Sequence, residues 1–202
     1  MLRILLLCLA LAAPAAAETR TAVFAGGCFW CVEANFEHVP GVRSAVSGYS
    51  GGQKANPTYK DHEGHLEVVR VTYDDAVVSY EKLVGLFLRS IDVTDAGGQF
   101  CDRGPAYRSA VFVSDKADRA IAEAEVARAE ATLGRKVVTP VLAAKRFWPA
   151  EDYHQDYARQ SEIILTRAGP MQKKNAYKFY RKSCGRDARV REIWGAEAAF
   201  VK

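Results

Sequence analysis

The sequence predicts an α+β protein: a two-layer sandwich with a mixed β-sheet, a ferredoxin-like βαββαβ core and an irregular C-terminal tail. Three observations point there. Apolar periodicity alternates between strand and helix spacing in the order β-α-β-β-α-β, followed by α-β. Strands that do not alternate strictly with helices indicate an α+β arrangement, and the first six elements have the order of a split βαβ unit. The 202 residues, 49% hydrophobic and 26% charged, suffice for one domain, and no repeat, low-complexity segment or linker divides them.

The N-terminal segment reads as a leader outside the fold. Met1-Leu2-Arg3 is a positive start, Ile4 to Ala13 is an unbroken apolar run, and Pro14-Ala15-Ala16-Ala17 supplies a small-residue Ala-x-Ala site before Glu18. This is the pattern of a cleavable secretory signal. The run is shorter than the ~20 apolar residues of a membrane-spanning helix; a retained anchor is the alternative. Residues 1–17 are therefore expected to be removed and the chain exported, with the periplasm as the expected compartment and no membrane attachment after cleavage.

Thr21 to Ala25 reads as a buried strand broken by Gly26-Gly27. Phe29, Val32 and Phe36 have helical spacing within a helix over Phe29 to His38, which Pro40-Gly41 ends. Val42 to Ser47 is a second strand, and the polar, Gly-rich stretch Tyr49 to Gly64 a long loop of the kind that carries function. His65 to Tyr73 alternates as a third strand. Ser79 caps a helix with Leu83, Val84, Phe87 and Leu88 on one face, and Ile91 to Pro105 is a second long loop. Arg108 to Val113 is a strand, Asp115 caps a long helix that Gly134 terminates, and Lys136 to Ala144 is a fifth strand. A short helical stretch is expected from Pro149 to Gln160, with an irregular, basic and aromatic remainder.

Lys+Arg 28 against Asp+Glu 24 gives a net charge of +4, which falls to +3 once Arg3 leaves with the leader. The basic residues are scattered. A nucleic-acid binder needs a concentrated stripe or arm, and short clusters such as Lys173-Lys174 and Arg181-Lys182 read as solvated surface, so nucleic acid is not an expected partner.

Of five cysteines, Cys28, Cys31, Cys101 and Cys184 remain after loss of Cys8. Cys28, in Gly26-Gly27-Cys28-Phe29-Trp30-Cys31, lies where a strand meets a helix. Unpaired helical N–H groups and the helix dipole favour a thiolate there, and the glycines allow close backbone approach to a bound group. This is the setting of a nucleophilic thiol. Two other readings stay open. Cys28-x-x-Cys31 has the form of a disulfide-exchange pair, for which Pro140 would be the facing proline. With His62 and His65 it could also form a zinc site, although the spacing is wider than a compact finger's.

The chain also resembles a known family. Gly27-Cys28-Phe29-Trp30 looks like the signature of the peptide methionine sulfoxide reductase A family. Five further blocks follow in the same order: Val46-Ser47-Gly48-Tyr49-Ser50-Gly51-Gly52; Asn56-Pro57-Thr58-Tyr59; Gly64 to Val71; Asp102 with Tyr107-Arg108-Ser109; and Ala150-Glu151-Asp152-Tyr153-His154-Gln155. The resemblance covers roughly Thr21 to Gln160, so 18–160 is expected to be the reductase domain.

The resemblance implies reduction of methionine S-sulfoxide, protein-bound or free. Cys28 would attack the sulfoxide sulfur, and Phe29 and Trp30 would form an apolar pocket for the methyl group. Glu67 would supply the proton that activates the oxygen, Tyr59 and Tyr107 would hydrogen-bond that oxygen, and Asp102 would order the site. The physical chemistry agrees. Sulfoxide oxygen needs a general acid, and a carboxyl buried among aromatic rings stays protonated near neutrality. His154 reads as a structural, hydrogen-bonded residue.

Attack would leave Cys28 as a sulfenic acid, which a second thiol condenses to a disulfide. Cys184, in the tail over 161–202, is the expected resolving thiol because Gly185 lets it swing and neighbouring basic residues favour its thiolate; Cys31 and Cys101 are alternatives. Turnover then requires a thioredoxin-like donor. No phosphate loop or dinucleotide motif is present, so no organic cofactor is implied.

Overall fold

The computed structural model describes residues 18–201; the leader segment, with Cys8, lies outside them. In chain order the core elements are β1 (Thr19–Gly26), α1 (Phe29–Phe36), β2 (Val42–Ser50), β3 (Leu66–Asp74), α2 (Tyr80–Leu88), the short strands β4 (Gly98–Gln99) and β5 (Asp102–Arg103), β6 (Ser109–Val113), α3 (Lys116–Leu133), β7 (Val141–Ala143) and β8 (Trp148–Pro149). A hairpin, β9 (Ile163–Thr166) and β10 (Gly169–Gln172), and two helices, α4 (Lys173–Ser183) and α5 (Arg186–Trp194), follow.

The main sheet runs β7-β6-β1-β3-β2-β8. Its neighbours pair antiparallel except β6 and β7, which are parallel, so the sheet is mixed as expected. β3 lies between β1 and β2, which splits the first βαβ unit.

Alternation in β1 explains the layering. Ala22 and Phe24 face the main core, whereas Ala25 turns to a smaller cluster with Leu66, Val68, Ala110 and Phe112. Phe24 stacks on Phe36 of α1 at 5.2 Å and on Phe87 of α2 at 4.7 Å, which pins both helices to the same sheet face. The expected caps form: Ser79 accepts from the Lys82 amide (3.1 Å), Asp115 from the Asp118 amide (2.8 Å), and Gly134 ends α3 at φ +59°. Among the described residues no helix is long and apolar enough to cross a membrane.

The structure departs from the sequence reading in four places. β2 continues beyond Ser47 to Ser50, because Tyr49 and Ser50 stay in register with Glu67 and Leu66 of β3. Of the strand expected over 136–144, only Val141–Ala143 is paired. The stretch from Pro149 to Gln160 is not a helix. It contributes β8 to the sheet edge and one 3₁₀ turn, Asp152–His154. Gln155 holds it there, bonding Ser47 through both its amide groups. The largest departure is the tail, expected to be irregular: it forms the hairpin and two helices, with Val190 and Trp194 in the main core. Lys173 and Arg181, read as solvated surface, are buried, and so is Arg186. The apolar faces of α4 and α5 are made largely of aromatic rings and arginine stems, so aliphatic periodicity does not reveal them.

Candidate active site

Cys28 ends the turn between β1 and α1. Its carbonyl accepts from the Cys31 amide (3.0 Å), and its side chain makes no capping bond. Gly27 makes the turn possible. It adopts φ +78°, and a Cβ there would sit 2.5 Å from the Gln99 Cβ. Gln99 cannot yield easily: it is buried and bonded to both the amide and the carbonyl of Asp92 (2.9 and 2.7 Å).

One turn into α1, Cys31 faces Cys28, and the two thiols hydrogen-bond. That bond and burial push the Cys28 thiol well up. Donation from Cys28, helped by the Arg186 and Arg181 guanidiniums, lowers Cys31 to about 6. The hydrogen-bonded pair as a unit therefore favours one negative charge, which the buried arginines stabilise, whereas helix-terminus reasoning considered Cys28 alone. The two buried arginines lie beyond what a single helix dipole argument can see.

Glu67 is 2% exposed on β3, and its Oε2 accepts from the Phe29 amide (3.0 Å). Burial, with smaller contributions from Asp102 and Cys31, raises its pKa to about 8, so the carboxyl is protonated at neutral pH. Phe29 is fully buried, and its ring contacts those of Trp30, Tyr49, Tyr59 and His154 at 5.1 to 6.4 Å. Trp30 stacks flat on Tyr157 (3.8 Å) and donates its indole N–H to His154 Nδ1 (3.1 Å). His154 is therefore the hydrogen-bonded structural residue expected, and burial lowers its pKa to about 4, which keeps it neutral.

Tyr59 is held over the site by its amide, which donates to Glu151 Oε1 (2.9 Å), while Glu151 Oε2 accepts from the Tyr49 hydroxyl (3.1 Å). Tyr107 hydrogen-bonds to the Tyr59 side chain, whose pKa burial raises to about 12. Burial also raises the phenol of Tyr107 and the carboxyl of Asp102, the latter against the pull of Arg186. Cys28, Trp30, Tyr59 and Asp102 line a cavity of about 690 Å³, and Glu67 is buried behind the Phe29 amide.

The same cavity is lined by Cys31, Cys101 and Cys184. Cys184, the expected direct partner of Cys28, is instead bonded to Cys101, and Cys28 and Cys31 are free thiols. The reason is topological: the β4–β5 turn carries Cys101 to the corner between α4 and α5. His65 has both ring nitrogens engaged by backbone, with the Gly52 amide at 3.3 Å and the Lys54 carbonyl at 2.9 Å, so it is not free to ligate zinc. Pro140 sits at the β6–β7 edge, bonded to the Val111 amide, and does not face the thiol pair. Glu151 and Arg186 were missed by sequence reasoning. Glu151 stands inside a quoted block, beside His154, and was legible; Arg186 was not.

A thiol pair carrying one negative charge, a protonated buried carboxyl and phenol donors around an aromatic cavity are the equipment of a thiol-dependent oxidoreductase. A family profile described as "Peptide methionine sulfoxide reductase" matches residues 20–196. The chain is 49% identical over 196 residues to a peptide methionine sulfoxide reductase of Rhizobium meliloti, covering 96% of this chain and 93% of that one. Methionine sulfoxide reductase A of Corynebacterium diphtheriae has a similar structure (TM-score 0.61, 31% identity, 69% of this chain and 73% of that one). Mxr1 of Saccharomyces cerevisiae in reduced form is likewise similar (TM-score 0.65, 27% identity, 69% and 84%). The chain belongs to the peptide methionine sulfoxide reductase family.

Proposed function

We propose that the chain reduces methionine S-sulfoxide through a Cys28 sulfenic acid. Cys28 attacks the sulfoxide sulfur as its proton passes along the hydrogen bond to Cys31. Glu67 protonates the oxygen, and Tyr59 and Tyr107 bind it. Phe29 and Trp30 enclose the methyl group, and Asp102 orders the polar side of the cavity. A thiol and a sulfoxide thus become a sulfenic acid and a thioether. The observation that carries this reading is the opposite state of two neighbours: Glu67 is held protonated at neutral pH while the Cys28–Cys31 pair carries the charge.

Cys31 is the thiol best placed to condense with the sulfenic acid, releasing water. The reduced Cys101/Cys184 dithiol then exchanges with the Cys28–Cys31 disulfide, regenerating both active-site thiols and leaving Cys101–Cys184 oxidised. Cys184 thereby resolves at one remove. Cys101 is exposed, so a protein dithiol can reach the bond. A thioredoxin-like donor fits this need, and Mxr1 has been seen in complex with Trx2. Export to the periplasm is supported by the apolar leader and small-residue site, and by a disulfide suited to an oxidising compartment.

The test is reduction of a methionine-sulfoxide peptide with dithiothreitol. Cys28→Ser is expected to be inactive. Cys31→Ser is expected to release methionine more slowly and to accumulate a sulfenic acid at Cys28, trapped by a 1,3-dione. Turnover by Cys28→Ser at the wild-type rate would overturn the assignment.

A further inference from the structure

Arg186 opens α5 two residues after Cys184 and is 2% exposed. Its side chain lines the cavity that holds both cysteine pairs. The guanidinium lies over the Phe100 ring at 4.5 Å, and Nη2 donates to the carbonyls of Gly26 (3.5 Å) and Ser90 (3.3 Å). Its Nε has no hydrogen-bond partner. Arg181 is different: it pairs with Asp187 at 2.6 Å and also bonds Asn35, Tyr177 and the Phe200 carbonyl. Among the described residues Arg186 has no such carboxylate pair. A buried cation met only by carbonyls and a ring is costly unless an anion shares its cavity. Asp102 lines the same cavity, but among the described residues it makes no ion pair with Arg186. The thiol pair lines the cavity beside Arg186, and the Arg186 charge favours the thiolate of its second sulfur.

We infer that Arg186 is the counter-ion of the Cys28–Cys31 pair, a positioning residue that keeps one negative charge on the two sulfurs and so maintains the base that receives the Cys28 proton. The inference rests on the proposed proton transfer between the thiols. The other charged or titratable groups facing the pair are Glu67 from β3, Asp102 from β5, Arg181 and Tyr177 from α4, and the phenols of Tyr59, Tyr107 and Tyr157. Asp102 opposes a charge on Cys31, the Cys28 hydrogen bond and Arg181 favour it, and Arg186 adds a buried cation with no carboxylate of its own.

The test is a thiolate titration of the substrate-free protein with Cys101–Cys184 intact, read by absorbance and by iodoacetamide alkylation across pH. The variants are Arg186→Met, Arg186→Lys and Arg186→Gln, each checked for fold by near-UV circular dichroism. In Arg186→Met the midpoint should rise by a unit or more, with alkylation near pH 6.5 slowed about tenfold; Arg186→Lys should restore most of it. If Arg186→Met does not fold, Arg186→Gln, neutral but able to bond a carbonyl, carries the same expectation. An unchanged midpoint in a folded neutral variant overturns the inference. The titration needs no turnover, so it is separable from the proposed reaction: wild-type turnover by Cys31→Ser would sink the proton transfer alone.

Discussion

Glu67 matters because it stays neutral where an ordinary carboxyl would not. Burial raises its pKa from 4.5 to about 8, against the opposing pull of the Phe29 amide. In the proposed reaction only the protonated form is competent, so kcat should fall as pH rises through about 8. Glu67→Gln should cost ~10²–10⁴-fold in methionine release, the usual contribution of a general acid, and abolish that limb of the profile; a variant that keeps both rate and limb removes Glu67 from the mechanism. Stability has the same sign. Between pH 4.5 and about 8 the folded protein holds a proton that the unfolded chain has lost, so this residue makes stability decline with rising pH. Chemical denaturation at pH 6 and 8 should show the decline in wild type and less of it in Glu67→Gln. At this scale the sequence was informative wherever a residue's partners are local or its motif is ordered: Cys28, Glu67, Tyr59, Tyr107 and Asp102 all fall in or around one site. It was silent on Arg186, whose partners, Gly26 and Ser90, lie 160 and 96 residues away.

The elements place these groups through their ends. α1 begins at the residue after Cys28, and the geometry of that start depends on Gly27. Gly27→Ala would combine a positive φ with a Cβ 2.5 Å from Gln99. It should destabilise by more than ~1 kcal/mol and cost activity beyond its effect on folding, because the Cys28 sulfur moves with the turn. A folded Gly27→Ala with wild-type alkylation kinetics would show that the turn does not set the thiol's position. The caps of α2 and α3 lie far from the chemistry and give a contrasting case. Ser79→Ala and Asp115→Ala should each cost ~1 kcal/mol, lowering Tm by roughly 2–4 °C without altering the pH profile. Such caps were legible because Ser79 and Asp115 bond amides three residues away. The end of β2 and all of β8 were not. Gly48, Ser50 and Pro149 have little strand character alone, and pairing of β2 with β3 and with β8 makes them strands.

The molecule as a whole is closed by its C-terminal segment. Val190 and Trp194 complete the core, Arg181 and Arg186 enter the wall of the cavity, and Cys184 bonds Cys101 across 83 residues. A loop of that length can contribute up to about 4–5 kcal/mol through the unfolded chain. Cys101→Ser should therefore lower Tm and make α4 and α5 easier to cleave. Its effect on turnover separates two roles for the bond. If Cys101–Cys184 is only a clasp, stability falls but the ratio of activities with a small dithiol and with a protein dithiol is unchanged. If it is the exit for oxidising equivalents, dithiothreitol still supports turnover, because it enters the cavity and reduces Cys28–Cys31 itself. A thioredoxin-type donor, too large to reach those recessed sulfurs, then loses at least tenfold. The proposed relay requires the second result, since Cys101 is exposed while Cys31 is buried one turn inside α1. Equal loss with both donors in a folded Cys101→Ser protein would leave the disulfide as a clasp and return the resolving step to Cys31 alone.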